Sequence, residues 1–286
     1  MRNFKKYTLT LRDGRSWVID RPLIMGILNV TPDSFYAGSR CDNADKIETR
    51  VRQIVAEGAD MIDIGAYSTR SGAAEVSPEE EYTRLCRGME IVHRLAPGML
   101  TSVDTFRAGV AQDCVEQLGV DIVNDVAGGT LDAHMWETVA RLQVPYIMMH
   151  MRGTPATMQQ LTHYDKPVTD AVVEYLAYKI EQLHAMGVRN VIADPGFGGF
   201  SKTLEQNYQM MDHLEAFHSL QVPLLVGVSR KSMIYKLLGC TPLESLNGTT
   251  VLNTMALLKG AHILRVHDVK PAVEARAIVE ATLAVE

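Results

Sequence analysis

Short apolar runs that end in polar residues recur along the chain, and each is followed by a segment with helical periodicity. The run 23–28 leads into Asn29, 61–64 into the Ser-Thr-Arg triplet at 68–70, 100–103 into Asp104, and 121–123 into Asn124 and Asp125. Further on, 146–149 precedes His150 and 191–193 precedes Asp194. The last two runs, 224–228 and 262–266, precede Ser229, Arg230 and Lys231, and then His267 and Asp268. Continuous apolar runs alternating with amphipathic helices predict buried parallel strands. Eight such units over 286 residues predict an α/β chain folded as a TIM (β/α)8 barrel, one domain spanning 1–286. Ahead of them, 7–11 and 17–19 flank Asp13-Gly14, so an N-terminal β-hairpin is expected to cover the bottom of the barrel.

Helix starts are also legible. Ser77, Pro78 and three glutamates form an N-cap, a first-turn proline and an acidic first turn ahead of Leu85, Met89 and Val92. Thr169-Asp170 opens a second helix that closes near Gly187. The connection 151–168 is long for a barrel loop and is expected to act as a lid or a partner surface. In a (β/α)8 barrel the carboxyl ends of the strands line one open face, so the polar ends of the runs should converge there.

Composition narrows the class. A hydrophobic share of 47% and a charged share of 22% support a large core and exclude disorder. A net charge of -6 gives no reason to expect nucleic acid. No stretch approaches the ~20 apolar residues of a membrane span, and residues 1–20 carry too many charges for a signal peptide. Cys41, Cys86, Cys114 and Cys240 lack metal-ligand spacing, which fits a reducing cytoplasm.

Segment 25–35, MGILNVTPDSF, resembles the first signature of the dihydropteroate synthase family of pterin-binding enzymes. Seven later segments resemble the same family in the same order: DIGAYSTR at 63–70 with Ser71, SVDT at 102–105, VNDV at 123–126, MHMRGTP at 149–155, DPG at 194–196 with Phe197 and Lys202, SRKS at 229–232, and RVHD at 265–268. The resemblance implies condensation of 6-hydroxymethyl-7,8-dihydropterin pyrophosphate with 4-aminobenzoate to 7,8-dihydropteroate and pyrophosphate, with Mg2+ as cofactor and a homodimer as the assembly. It assigns the pterin to Asp104, Asn124, Met149, Asp194, Lys231 and Arg265. Pyrophosphate falls to Asn29, Thr69, Arg70, Arg265 and His267, with Asn29 also offering an oxygen to the metal. Arg70, Ser71, Phe200 and Ser232 are expected to receive aminobenzoate, with Pro155 as a further apolar contact. Asp104, Lys231, Arg265 and His267 are the expected catalytic set.

The residue types suit that chemistry. Carboxylates receive paired N–H groups of a heterocycle, cations bind a departing pyrophosphate, and no nucleophilic Ser or Cys is required. Taken singly, each has a plainer reading: a strand-end Asp caps a helix, a lone Arg is a solvated charge, and Ser232 is an N-cap. Arg265 and His267 alternate and so should face one side, while His150, among Met148, Met149 and Met151, reads as packed rather than as a base.

Two loops depart from the family pattern. Tyr67 stands where the family commonly has a carboxylate and Ser71 where it has proline, so sulfonamide-type analogues are expected to bind differently. The sixth loop, DPGFGGFSK at 194–202, is one residue longer than usual, which leaves Phe200 and Lys202 ambiguous by one position. A pterin-dependent methyltransferase and a non-enzymatic pterin-binding paralogue are the rival readings. An apolar stripe of Leu252, Met255 and Ala256 with Lys259 is a candidate dimer contact or, alternatively, a face packed on the barrel.

Overall fold

A computed structural model describes residues 4–31, 43–67 and 75–285. The hairpin comes first, with β1 (Tyr7–Thr10) paired antiparallel to β2 (Ser16–Ile19). Eight parallel strands follow: β3 (Leu23–Asn29), β4 (Met61–Gly65), β5 (Leu100–Asp104), β6 (Ile122–Asp125), β7 (Tyr146–Met149), β8 (Val191–Asp194), β9 (Leu225–Val226) and β10 (Ile263–Val266). Their order is β8-β7-β6-β5-β4-β3-β10-β9, and a parallel bridge between Ala193 and Leu224 joins the two ends. The sheet is therefore the expected barrel. β9 is shorter than the apolar run 224–228, because past Val226 the chain enters Gly227 and the turn that carries Lys231.

Helices wrap the outside: α1 (Asn43–Ala56), α2 (Pro78–Leu95), α3 (Ala108–Gln117), α4 (Met135–Leu142), α5 (Val168–Ala185), α6 (Leu204–Asp212), α7 (Ser232–Leu238), α8 (Leu246–Leu258) and α9 (Val269–Ala284). Ser77 caps α2 as expected, its hydroxyl accepting from the Glu80 amide at 3.2 Å. Helix α5 starts at Val168 behind Pro167, one residue before the expected opening, with no side-chain cap. Outward strand residues such as Ile24, Leu28, Ile62, Ile64, Val103 and Val123 form the strand-helix core.

The inward positions follow the pleat, which alternates faces every residue. At the bottom, Met25, Met61, Ile122, Ile147, Ile192, Leu225 and Ile263 pack against Leu9, Leu11, Trp17 and Ile19. The hairpin plugs the barrel floor. The connection 151–168 is no free flap: Met158 is buried, the Arg152 amide reaches Ser201 Oγ at 3.1 Å, the Tyr164 hydroxyl donates to the Ser201 carbonyl at 3.0 Å, and Gln206 Nε2 donates to the Thr162 carbonyl at 2.8 Å. It is a wall seated on the sixth loop. The stripe on α8 faces inward, with Leu252 and Ala256 in the core, while Val251 and Leu258 are exposed.

Candidate active site at the barrel mouth

One pleat above the apolar floor the same inward positions turn polar. Register aligns Asp63 with Ser102, Gly65 with Asp104, Asp104 with Asn124, and Met149 with Asp194. Arg265, inward on β10, links this ring: Nε donates to Asp63 Oδ2 and Nη2 to Asp104 Oδ2, each at 2.6 Å. Asn124 Nδ2 donates to the Asp63 carboxylate at 3.2 and 3.3 Å. Asp63, fully buried, thus anchors two of the expected site residues. Asp63 is a site residue that the run pattern does not mark, although a carboxylate inside an otherwise apolar strand is a signal for it.

Electrostatics ties the ring together. Burial pushes Asp104 up to about 7, with Arg265 pulling it down and Asp63 pushing it further up. Burial also raises Asp194, against Lys231 and the Gly196 amide, which donates to its Oδ1 at 2.7 Å. Lys231 is drawn down to about 8 by burial, with Asp194 opposing. Burial works against the Arg265 cation, but Asp63 and Asp104 outweigh it and raise its pKa. Asp104, Asp194, Lys231 and Arg265 therefore share one field.

Lys231 Nζ donates to the Phe197 carbonyl at 2.7 Å and lies 5.1 Å from the Phe200 ring centre. That places Phe200 beside Lys231. Lys202 is buried beneath the same loop. Met149 is buried with Val126, Met151 and Met158, and Phe200 and Phe106 pack on that apolar patch. His150 is buried, as expected from its neighbours, and burial holds its pKa well below the usual histidine range.

Other expectations are met differently. His267 lies just past β10, half-buried, with its amide and Nδ1 each 3.1 Å from Ser229 Oγ. Ser232 is the first residue of α7 and not its N-cap; Lys231 holds the cap position, because Arg230 adopts a left-handed φ of 53° that brings the turn in one residue early. Asn29 ends β3 beside the ring, and a Cβ added at Gly65 would stand 3.7 Å from both Asn29 Oδ1 and Asp104 Oδ2. Thr69, Arg70 and Ser71 lie outside the described residues. Tyr67, at the near end of that segment, packs edge-on to Phe106 at 5.2 Å and under Arg107 at 5.1 Å.

A parallel barrel with carboxylates, an amide and two cations converging at its mouth has the architecture of a (β/α)8-barrel enzyme with a polar, charged site. A family model described as pterin binding enzyme matches residues 25–267. The dihydropteroate synthase of Escherichia coli K12 is 40% identical over 275 residues, covering 94% of this chain and 95% of that protein. A crystal structure of Yersinia pestis dihydropteroate synthase with a sulfonamide drug superposes with a TM-score of 0.87 at 40% identity, covering 98% of this chain and 100% of that one. Xanthomonas albilineans dihydropteroate synthase in complex with 7,8-dihydropteroate superposes at 0.85 with 34% identity, covering 98% and 100%. The chain belongs to the dihydropteroate synthase family of pterin binding enzymes.

Proposed function

We propose that this chain condenses 6-hydroxymethyl-7,8-dihydropterin pyrophosphate with 4-aminobenzoate to give 7,8-dihydropteroate and pyrophosphate, a transferase step of folate synthesis. The observation that carries the reading is the ring of Asp63, Asp104, Asn124 and Arg265, with Asp194 and Lys231 coupled to it. Asn124, Asp104 and Asp194 offer acceptors and donors to the pterin edge, Met149 gives an apolar face, and Lys231 and Arg265 flank it. A group left unmatched there would cost ~1–3 kcal/mol.

The C–O bond to pyrophosphate breaks with its electron pair. Positive charge then spreads from the methylene into the pterin ring, and ionised Asp104 favours it. The aniline nitrogen of 4-aminobenzoate forms the new C–N bond and loses a proton, which the released pyrophosphate can take up. Arg265, His267, Thr69 and Arg70 are the proposed pyrophosphate partners; Arg70, Ser71, Phe200 and Ser232 are those of aminobenzoate. Catalysis comes from positioning and preorganised charge.

Among the described residues no group of three or more His, Cys, Asp and Glu side chains forms a metal cage. Asn29 Oδ1 lies beside Gly65 at the end of β3, and such a hard oxygen suits Mg2+, which keeps waters and uses substrate phosphates as ligands. Bound there through Asn29, Mg2+ would offset charge on the pyrophosphate.

The family resemblance supports a homodimer, and exposed Val251, Leu258 and Ile278 on α8 and α9 offer apolar surface for it; sedimentation would read the mass. Cys86, Cys114 and Cys240 are free, in keeping with a cytoplasmic setting, and the acidic balance gives no footing for nucleic acid. No helix among the described residues is long and apolar enough to cross a membrane. We take the whole chain as one domain.

The deciding assay is pyrophosphate release with and without 4-aminobenzoate and Mg2+, with mass detection of dihydropteroate. Product only when both substrates are present is expected. Tight pterin binding without product would instead mark a paralogue that has lost the chemistry.

A further inference from the structure

The sixth loop is held by side chains that lie beneath it and outside the proposed substrate contacts. Lys202 Nζ donates to the carbonyls of Gly196 and Phe200, each at 3.0 Å, and lies 2.9 Å from His150 Nδ1. Three acceptors around one nitrogen use every proton of an ammonium. Burial, with Lys202 adding to it, keeps His150 neutral, so Nδ1 is free to accept. Burial also draws Lys202 itself down to about 7, against Asp194.

A second clip comes from α6. Asn207 Oδ1 accepts from the Gly198 amide at 2.6 Å, and Nδ2 donates to the carbonyls of Gly198 at 2.9 Å and Thr203 at 2.7 Å. Lys202 and Asn207 are 4% and 2% exposed, so neither set of bonds competes with solvent. The stretch between the clips is what Lys231 touches. Phe197 gives its carbonyl and Phe200 its ring, and a Cβ at Gly198 would stand 2.9 Å from Lys231 Cδ.

We infer that Lys202 and Asn207 are positioning residues for the condensation, acting through the sixth loop to fix the Phe200 ring on the aminobenzoate side of the mouth, against the Lys231 ammonium. The inference rests on the synthase reading for the identity of that ring. A lysine stem is flexible, and Asp194 and Asp104 both attract its ammonium, so the Phe197 carbonyl and the Phe200 ring decide where it stops. Without the clips the loop relaxes. Asp104, Asn124 and Arg265 sit on strands and hold most of the pterin site in place without the loop, so the larger damage falls on the second substrate.

The test compares Lys202→Met, Lys202→Arg and Asn207→Ala with the parent protein. Readouts are kcat, KM for each substrate, calorimetric affinity for the pterin pyrophosphate, and hydrogen exchange over 197–201. Lys202→Met and Asn207→Ala should raise the aminobenzoate KM about tenfold or more and lower kcat, with pterin affinity within about threefold and faster exchange at Gly198. Lys202→Arg, which keeps donors, should recover part of the loss. Folded variants with parental kinetics, or with equal losses for both substrates, would overturn the inference. Should Lys202→Met not fold, Asn207→Ala decides from the other side of the loop. Parent protein that makes no dihydropteroate sinks the synthase reading, and unchanged Gly198 exchange in the variants separately sinks the clip.

Discussion

At the floor of the barrel, Met61, Ile122, Ile192 and Ile263 pack on the hairpin; two residues along the same strands stand Asp63, Asn124, Asp194 and Arg265. Facing parity is unchanged, and roughly 7 Å of strand separates apolar packing from charge. The two levels do different work. Floor residues lose water and gain close contacts, a stabilising term. Mouth residues hold charge against burial, as the raised Asp104 and lowered Lys231 show, which costs stability and leaves a preorganised field. Substitutions at the two levels should therefore separate activity from stability.

The largest effect is expected at Asp104→Asn. The shape and the hydrogen-bonding reach survive, but the charge facing the developing cation is lost. We expect kcat to fall about 100- to 1,000-fold, with pterin affinity and unfolding midpoint little changed. Equal losses in turnover and binding would deny Asp104 a transition-state role.

The converse test is Ile147→Ala on the floor, beneath Met149 on the same strand. Unfolding in urea should show a loss of about 2–5 kcal/mol, while kcat at a temperature where the variant is folded stays near the parent's. A proportionate drop in kcat would mean that floor packing sets mouth geometry and that the two levels are not separable.

The floor was more legible than the mouth, for a physical reason. Apolar runs and the Asp13-Gly14 turn are local signals, and all eight strands and the hairpin lie where those signals put them. Asp104, Asn124 and Asp194 were also readable, because each follows directly on a run, and Lys231 and Arg265 were readable from the segments 229–232 and 265–268 that resemble the family. Asp63 was not: its partner Arg265 is 202 residues away, and no local pattern pairs them. The one-residue shift at Ser232 comes from the left-handed turn at Arg230, whose guanidinium grips Asp268 at 2.8 and 2.9 Å across the mouth. The connection 151–168 reads as a lid or partner surface by length, because the hydrogen bonds that seat it join Arg152 to Ser201 and Thr162 to Gln206, 49 and 44 residues apart in sequence.

A smaller, graded effect should appear in pH. Asp104, raised to about 7, is ionised above that value, so kcat/KM should fall as pH drops below about 7. Lys231, lowered to about 8, is protonated below that value, so kcat/KM should fall as pH rises past about 8. The profile is a bell, and Asp104→Asn should flatten its acid limb alone. An acid limb that persists in the variant would assign that titration to another group.

The smallest effect tests the rim, where this chain departs from its family. Tyr67 closes a cluster in which Arg107 donates to buried Glu81 and to the Val76 carbonyl, each at 2.6 Å, with Phe106 edge-on to the Tyr67 ring. Neutral Tyr67 leaves the Arg107 charge to Glu81, whereas a carboxylate at that position would compete for it. A cation-π contact of this exposure contributes about 0.5–1 kcal/mol, or a two- to fivefold change in binding. Tyr67→Glu should therefore shift sulfonamide inhibition relative to the aminobenzoate KM by about that factor, and Ser71→Pro, which fixes φ at that position, should shift the same ratio, with pterin affinity unmoved in both. If the ratio is the same in both variants and the parent, the second loop does not tell the analogue from the substrate, and discrimination lies deeper, at Lys231 and Phe200.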